Sequence, residues 1–432
     1  MKFFSLNEKA PNVSFKDAVV AGIAPDKGLY FPEKITPLPA SFFEHIESKS
    51  NHEIAYEAIK QFVSDDIPEK ALKEIIEEVL DFDFPIVSIE ENVSSLELFH
   101  GPTMAFKDVG ARFMARCLGY FSKDNTSNEV TVLVATSGDT GGAVANGFLG
   151  VNGVKVVILY PSGKVSDIQE KQLTTLGKNI TALEVQGTFD DCQTMVKTAF
   201  LDEKLLSAMQ LTSANSINVA RWLPQMFYFL FAYKQAKSKG KDIVFSVPSG
   251  NFGNICAGLM AQQLGMPAKH FVAATNVNDI VPNFMLTGTY TPKPSISTIS
   301  NAMDVGDPSN FIRIRHIFND NLEEISKHLS SYSYSDEETK KAMIHLYNES
   351  SYVADPHGAV GYLGLKKYQE SHPDTYGIFL ETAHPVKFLD TVEDTIQENI
   401  DLPEQIIKIM KKKKKATLIA NYDDLKEYLL SQ

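Results

Sequence analysis

Two glycine-rich loops and one lysine are the places in this chain where residue type and spacing can do chemistry. The first loop, Pro248–Asn254, reads PSGNFGN and joins a buried strand to a helix. The first backbone N–H groups of a helix have no partner within it, and the local field there is positive. Gly250 and Gly253 allow close backbone approach, and Asn251 and Asn254 add side-chain donors, which is the composition of a phosphate cup. It is no Walker A loop, because Gly-Lys-Ser/Thr does not follow, and it does not fit GxGxxG, which disfavours a dinucleotide. An ordinary glycine-bearing turn stays equally open on pattern alone. Ser137–Gly142, SGDTGG, is built the same way, and the hydroxyls of Ser137 and Thr140 suit a small anion such as an amino-acid carboxylate. Asp139 would repel that anion unless it points away, and it can instead cap the helix beginning nearby. Lys107 follows Ala105 and Phe106 and opens an amphipathic helix. Partial loss of water beside a positive helix start favours the neutral, nucleophilic amine. Local sequence by itself favours the plainer reading, a surface lysine at a helix start.

Three histidines, His100, His357 and His384, stand in comparable loops. Histidines in such places are more often structural hydrogen bonders than catalysts. His100 ranks next after the lysine because it is close to Lys107 in sequence, and His357 in DPHGAVG is expected in a turn.

The elements that must position these residues alternate. Leu96–Phe99 reads as a short strand, and Lys107–Phe121 as a helix with Val109, Phe113, Cys117 and Phe121 on one stripe. Val130–Ala135 is a continuous apolar run, as in a strand covered on both faces. Strands follow at Val154–Tyr160 and Ile180–Val185, with helices from about Ala143 and through Leu205. This βαβαβα order is the signature of a parallel sheet wrapped by helices. A helix over Asn218–Ala236 comes next, then strands at Ile243–Val247, Phe271–Ala274 and Gly377–Glu381, with a helix over Ile255–Leu264. The expected fold is α/β: two parallel-sheet lobes with a cleft between them, plus a mostly helical N-terminal subdomain. The divisions fall at 1–94 for that subdomain, 95–210 for a smaller lobe with Lys107, and 211–432 for a larger lobe with PSGNFGN. The polar stretch Thr287–Asn310 is expected to cross the surface. Lys411–Lys415 is expected to be a solvated loop or a fraying helix end.

Bulk properties narrow the function. The chain has 432 residues, 44% of them hydrophobic, enough for a large core in more than one lobe. A formal charge of −13 disfavours nucleic acid as the main partner. The three cysteines form no CxxC pair, which argues against zinc and against a disulfide framework and for a reducing compartment, and no metal is expected. No secretory signal or membrane-length apolar run is seen, so a cytoplasmic protein is expected. Whether it is a monomer or a homodimer is left open.

The same segments carry a family resemblance. FHGPTMAFKDVGARFM (Phe99–Met114) resembles the cofactor-lysine segment of threonine synthases, in the fold-type II group of pyridoxal-phosphate enzymes. TSGDTGGA resembles their substrate-carboxylate loop and SVPSGNFGN their cofactor-phosphate loop. ANSINVAR (Ala214–Arg221), ETAHPVKF (Glu381–Phe388) and ISNAMDVGDPSNF (Ile299–Phe311) also resemble threonine-synthase segments, the last pointing to the longer branch. The resemblance spans nearly the whole chain, in the expected order. It implies pyridoxal 5'-phosphate bound covalently by Lys107, with its phosphate on Gly250, Asn251, Phe252, Gly253 and Asn254 and its ring nitrogen meeting Thr382. It further implies O-phospho-L-homoserine as substrate, its carboxylate near Ser137, Asp139 and Thr140 and its phosphate on Asn215, Ser216 and Arg221. Asp139 stands where Asn is common in the wider group, although Asp is usual in the longer branch. A serine or threonine dehydratase and an inactive, cofactor-bearing relative are the rival readings. The phosphate-binding set Asn215, Ser216 and Arg221 speaks against the first, and the intact Lys107 against the second.

Overall fold

The computed structural model describes residues 1–122 and 129–431. They form two compact units, each assembled from separate stretches of chain. One contains Met1–Phe31, Lys107–Arg221 and Asp401–Gln432, and the other Pro32–Phe106 and Trp222–Ile400.

The first unit is built on a five-stranded, wholly parallel sheet. Its order is Thr417–Ile419, Ile180–Val185, Val154–Pro161, Val130–Ala135, Gln210–Ser213. Every residue of Val130–Ala135 is buried, as its unbroken apolar sequence requires. On one face Leu133, Val157 and Leu183 pack with Cys192, Met195, Leu425 and Leu429, which come from the helices Phe189–Ala199 and Tyr422–Leu430. Elsewhere the helices Lys107–Phe121 and Asp139–Gly147 pack closely, since a Cβ at Gly147 would stand 3.1 Å from the backbone of Ala111. The short helix Phe15–Ala21 docks at the edge strand, where Thr212 Oγ1 and Asn218 Nδ2 both donate to the Val19 carbonyl, at 3.0 and 2.9 Å.

The second unit holds a six-stranded sheet. Its order is Leu329–Ser333, Ala268–Thr275, Ile243–Pro248, Tyr376–Glu381, Val93–Glu97, Ile86–Glu90, and only the last strand runs antiparallel. The helix Pro356–Gln369 lies close on one face, with Ser246 Oγ donating to the Gly361 carbonyl at 2.6 Å. The Met226–Ala236 helix is apolar nearly all round, and its Phe229 meets Phe245 and Phe271 of the sheet edge-on. Because Ile243–Pro248, Tyr376–Glu381 and Val93–Glu97 are parallel neighbours, their C-terminal ends share one edge, and the loops that follow them converge there.

Several expectations need correction. The helix after SGDTGG begins at Asp139 rather than near Ala143. The Asn218–Ala236 helix is three pieces, Val219–Trp222, a 3-10 turn Leu223–Gln225 and Met226–Ala236, because Pro224 cannot continue a helical ladder. The stretch to Leu205 is split into Phe189–Ala199, which closes at Phe200, and Glu203–Ala208, which Asp202 caps. The stretch Thr287–Asn310 is exposed mainly in its first half; Ser300, Met303 and Asn310 are buried, while Asp307 and Ser309 return to the surface. The lysine run agrees with expectation, since 411–415 is an exposed loop directly after the helix Glu404–Met410, with Lys414 Nζ 2.7 Å from both Glu170 and Glu184. Among the described residues, no helix is long and apolar enough to cross a membrane.

Candidate active site

At the shared strand edge of the second unit, Ile243–Pro248 runs into PSGNFGN and on into the helix Gly253–Gln263. Phe252, the residue before that helix, takes a left-handed backbone with φ 60°. Asn254 Nδ2 ties the loop back to the Pro248 carbonyl at 2.8 Å, and Asn251 is held from outside. Its Oδ1 accepts from Ser309 Oγ at 3.3 Å and its carbonyl from Asn310 N–H at 3.1 Å. Gly250 is required by space, since a Cβ there would stand 2.6 Å from the Ala302 carbonyl oxygen. Among the described residues, the amides of Asn251, Phe252 and Gly253 donate to no protein acceptor. A buried row of amides at a helix start is a cradle that fits a phosphate group.

The neighbouring strand Tyr376–Glu381 runs into Thr382, which is 6% exposed. Here HGPTMAF is strapped to ETAHPVKF. Phe106 N–H donates to the Thr382 carbonyl at 2.8 Å, His384 N–H to the Met104 carbonyl at 3.0 Å, and Ala105 bridges Ala383 antiparallel. Tyr228 Oη donates to the Phe106 carbonyl, and the buried Lys387 Nζ to the Thr103 carbonyl at 2.9 Å. The residue directly before Lys107 is therefore fixed beside Thr382, on the same edge as the amide cradle.

Lys107 opens the helix Lys107–Phe121 in the first unit, in agreement with the boundary read from sequence. That unit also carries Ser137–Gly142 and Asn215–Arg221. Thr136, not Asp139, organises the start of the Asp139–Gly147 helix: its Oγ1 accepts from Gly138 N–H at 2.9 Å and Gly141 N–H at 2.8 Å. Asp139 is buried and accepts from Gln169 Nε2 at 3.0 Å, so a neutral amide occupies one of its oxygens. Asn215 Nδ2 donates to the carbonyl of Ala135, the residue before Thr136, at 3.3 Å, which places the 215 segment beside the SGDTGG loop. Arg221 is 4% exposed and donates to the Ala214 carbonyl at 2.5 Å.

Each unit thus gathers its own share: Lys107, Ser137, Asp139, Thr140, Asn215, Ser216 and Arg221 in one, Gly250–Asn254 and Thr382 in the other. Sequence reading missed Thr136, Gln169, Tyr228 and Lys387. Thr136 had a legible signal, a hydroxyl immediately before a glycine-rich helix start; the other three act across long stretches of chain and had none. Of the histidines, His100 Nε2 pairs with Glu97 at 2.8 Å on a partly exposed surface. His384 Nδ1 accepts from Val386 N–H at 3.1 Å, and burial pushes its pKa down to about 4. His357 is not in a turn but in the first turn of the Pro356–Gln369 helix, 3% exposed.

The model for pyridoxal-phosphate dependent enzymes matches residues 94–379, that for the threonine synthase N terminus residues 2–80, and that for the threonine synthase C-terminal region residues 358–429. Threonine synthase from Escherichia coli is 43% identical over 407 residues, 94% of each chain, and that from Serratia marcescens 40% over 433, 100% of this chain and 99% of the other. The crystal structure of threonine synthase from Escherichia coli superposes with a TM-score of 0.93 at 41% identity, covering 100% of both chains. A pyridoxal-phosphate-bound threonine synthase from Brucella melitensis gives 0.94 at 32% identity, covering 100% of this chain and 99% of that one.

Proposed function

The chain belongs to the threonine synthase family and is a pyridoxal-phosphate-dependent lyase, and from that premise we propose how its residues divide the work. The reaction is conversion of O-phospho-L-homoserine and water to L-threonine and inorganic phosphate. When bound, pyridoxal phosphate supplies an electron sink for charge that develops at the substrate's α-carbon. The amides of Asn251–Gly253, with Gly250 and Asn254 shaping the loop, hold the cofactor's phosphate, and the Thr382 hydroxyl meets its ring nitrogen. A neutral hydroxyl does not keep that nitrogen protonated as a carboxylate would. Lys107 anchors the cofactor, and its amine moves the proton at the substrate's Cα.

The Ser137 and Thr140 hydroxyls, with the backbone between them, orient the substrate's α-carboxylate. Holding Asp139 on Gln169 occupies one carboxylate oxygen of the residue that would otherwise oppose this. Asn215, Ser216 and Arg221 hold the substrate's phosphate; arginine suits that task as a permanent charge with a planar donor fork. The observation that carries the reading is the strap of Met104–Phe106 onto Thr382–His384 beside the amide cradle, which sets Lys107 one peptide bond from a residue fixed at that edge. The three buried, unpaired cysteines support a cytoplasmic setting. The assay is release of inorganic phosphate and L-threonine from O-phospho-L-homoserine by the purified protein. Keto acid formed from threonine, with no phosphate released, would make it a dehydratase instead.

A further inference from the structure

One buried hydrogen-bonded chain in the second unit is used by none of these roles, and it runs between the two elements assigned to the cofactor. It starts at Glu381, the residue before Thr382, and ends against Gly250. Glu381 Oε1 accepts from Asp355 N–H at 2.6 Å. Asp355 Oδ1 accepts both His357 N–H and His357 Nδ1, each at 2.6 Å. His357 Nε2 in turn accepts from Ala302 N–H at 3.1 Å. Ala302 and Met303 are the residues that a Cβ at Gly250 would strike. Glu381 and Asp355 are fully buried and His357 nearly so.

The chemistry of the chain fixes its own protons. An imidazole nitrogen that accepts from a backbone amide carries no hydrogen, so the hydrogen of His357 sits on Nδ1 and is donated to Asp355. Two buried carboxyl groups lie in this chain, and burial together with the Asp355 charge holds Glu381 toward its neutral form. Asp355 Oδ1 receives two N–H donors, both from His357. The packing admits little slack. A Cβ at Gly358 would collide with the Glu381 carboxylate, and the His357 ring lies 4.8 Å from that of Phe388.

We propose that His357, oriented by Asp355, is a positioning residue for the phosphate cradle: its Nε2 clamps the segment Asn301–Met303 against Gly250, setting the curvature of the Gly250–Asn254 loop. This rests on the assignment of that loop to the cofactor's phosphate. His357 reaches the loop only through Ala302. The feature it governs is therefore recognition of the phosphate rather than of the cofactor's ring.

The test compares the affinity of the full chain, stripped of cofactor, for pyridoxal phosphate and for pyridoxal, followed by the visible absorbance of the bound ring. His357→Phe keeps a planar ring and removes the acceptor. Its preference for the phosphorylated form is expected to fall about tenfold, as loss of one buried hydrogen bond implies, with pyridoxal affinity unchanged. His357→Gln, whose Oε1 can reach the position of Nε2, recovers most of that preference. Ala302→Pro deletes the donor from the other side, should the ring variant fold poorly; it shows the same loss, and the two losses do not add in the double variant. An unchanged preference in His357→Phe or in Ala302→Pro, or full additivity of the two, overturns the clamp. A wild-type chain that does not prefer pyridoxal phosphate over pyridoxal would instead refute the assignment of the loop.

Discussion

At the scale of single residues, the site is held by groups that do not do the chemistry. Thr136 is the clearest of these, because one hydroxyl oxygen takes the N–H groups of Gly138 and Gly141. Thr136→Val keeps the shape and leaves both buried donors without an acceptor, which costs about 1–3 kcal/mol. The denaturation midpoint should fall accordingly and return with Thr136→Ser; equal midpoints for the valine and serine variants would refute the role. Lys107 gives a different kind of prediction. Lys107→Ala should fold normally and lose turnover by at least about a thousandfold, since it removes both the anchor and the proton-moving amine. Turnover near that of the unmodified chain would remove the assignment. Lys107 also shows where local reading stops. Its residue type and helix-start position favour a surface lysine, and what supports the other reading is the strap of Phe106 onto Thr382, made by residues far apart in sequence.

At the scale of elements, the central strands were legible and the edge strands were not. Val130–Ala135 and Ile180–Val185 agree with the sequence boundaries to the residue, the first as an unbroken apolar run and the second through its buried Ile180, Ala182, Leu183 and Val185. Ile86–Glu90, Gln210–Ser213, Leu329–Ser333 and Thr417–Ile419 went unread. All four lie at sheet edges, are short, and carry serine, threonine, glutamate or glutamine where one side faces water. Helix ends were misplaced where a cap came from an unexpected side chain, as at Thr136 and Asp202. Asp202 caps the helix Glu203–Ala208 and also reaches the C-terminal helix Tyr422–Leu430, through Tyr422 Oη at 2.8 Å and Lys426 Nζ at 2.6 Å. The Lys426 ammonium leads in holding its carboxyl down at about 2. Asp202→Ala should therefore loosen two helices at once. Amide hydrogen exchange should quicken across 203–208 and 422–430 while Val130–Ala135 stays protected; unchanged exchange at 422–430 would show that the tie carries nothing.

At the scale of the whole molecule, the buried His270 and the half-buried His384 weaken the fold in acid. His270, bonded to Ser330 Oγ at 2.8 Å and stacked on Tyr368, and His384 are each pushed by burial from 6.5 down to about 4. Between those values each ring binds more protons in the unfolded chain than in the folded one, so its contribution to stability is complete above about pH 6.5 and is lost as pH falls toward 4. Each contributes on the order of 3 kcal/mol across that window. The loss of thermal midpoint between pH 7 and 4.5 should be smaller in His270→Asn than in the unmodified chain, and an equal loss would contradict the burial of that ring. The order of strands in the six-stranded sheet has a consequence for how the protein is made. Tyr376–Glu381 lies between Val93–Glu97 and Ile243–Pro248, yet it is the last of the three to leave the ribosome. Until translation has passed Glu381, both older strands present bare hydrogen-bonding edges, which invite pairing with the wrong chain. Synthesis of this protein therefore includes a long interval in which a chaperone has something to shield.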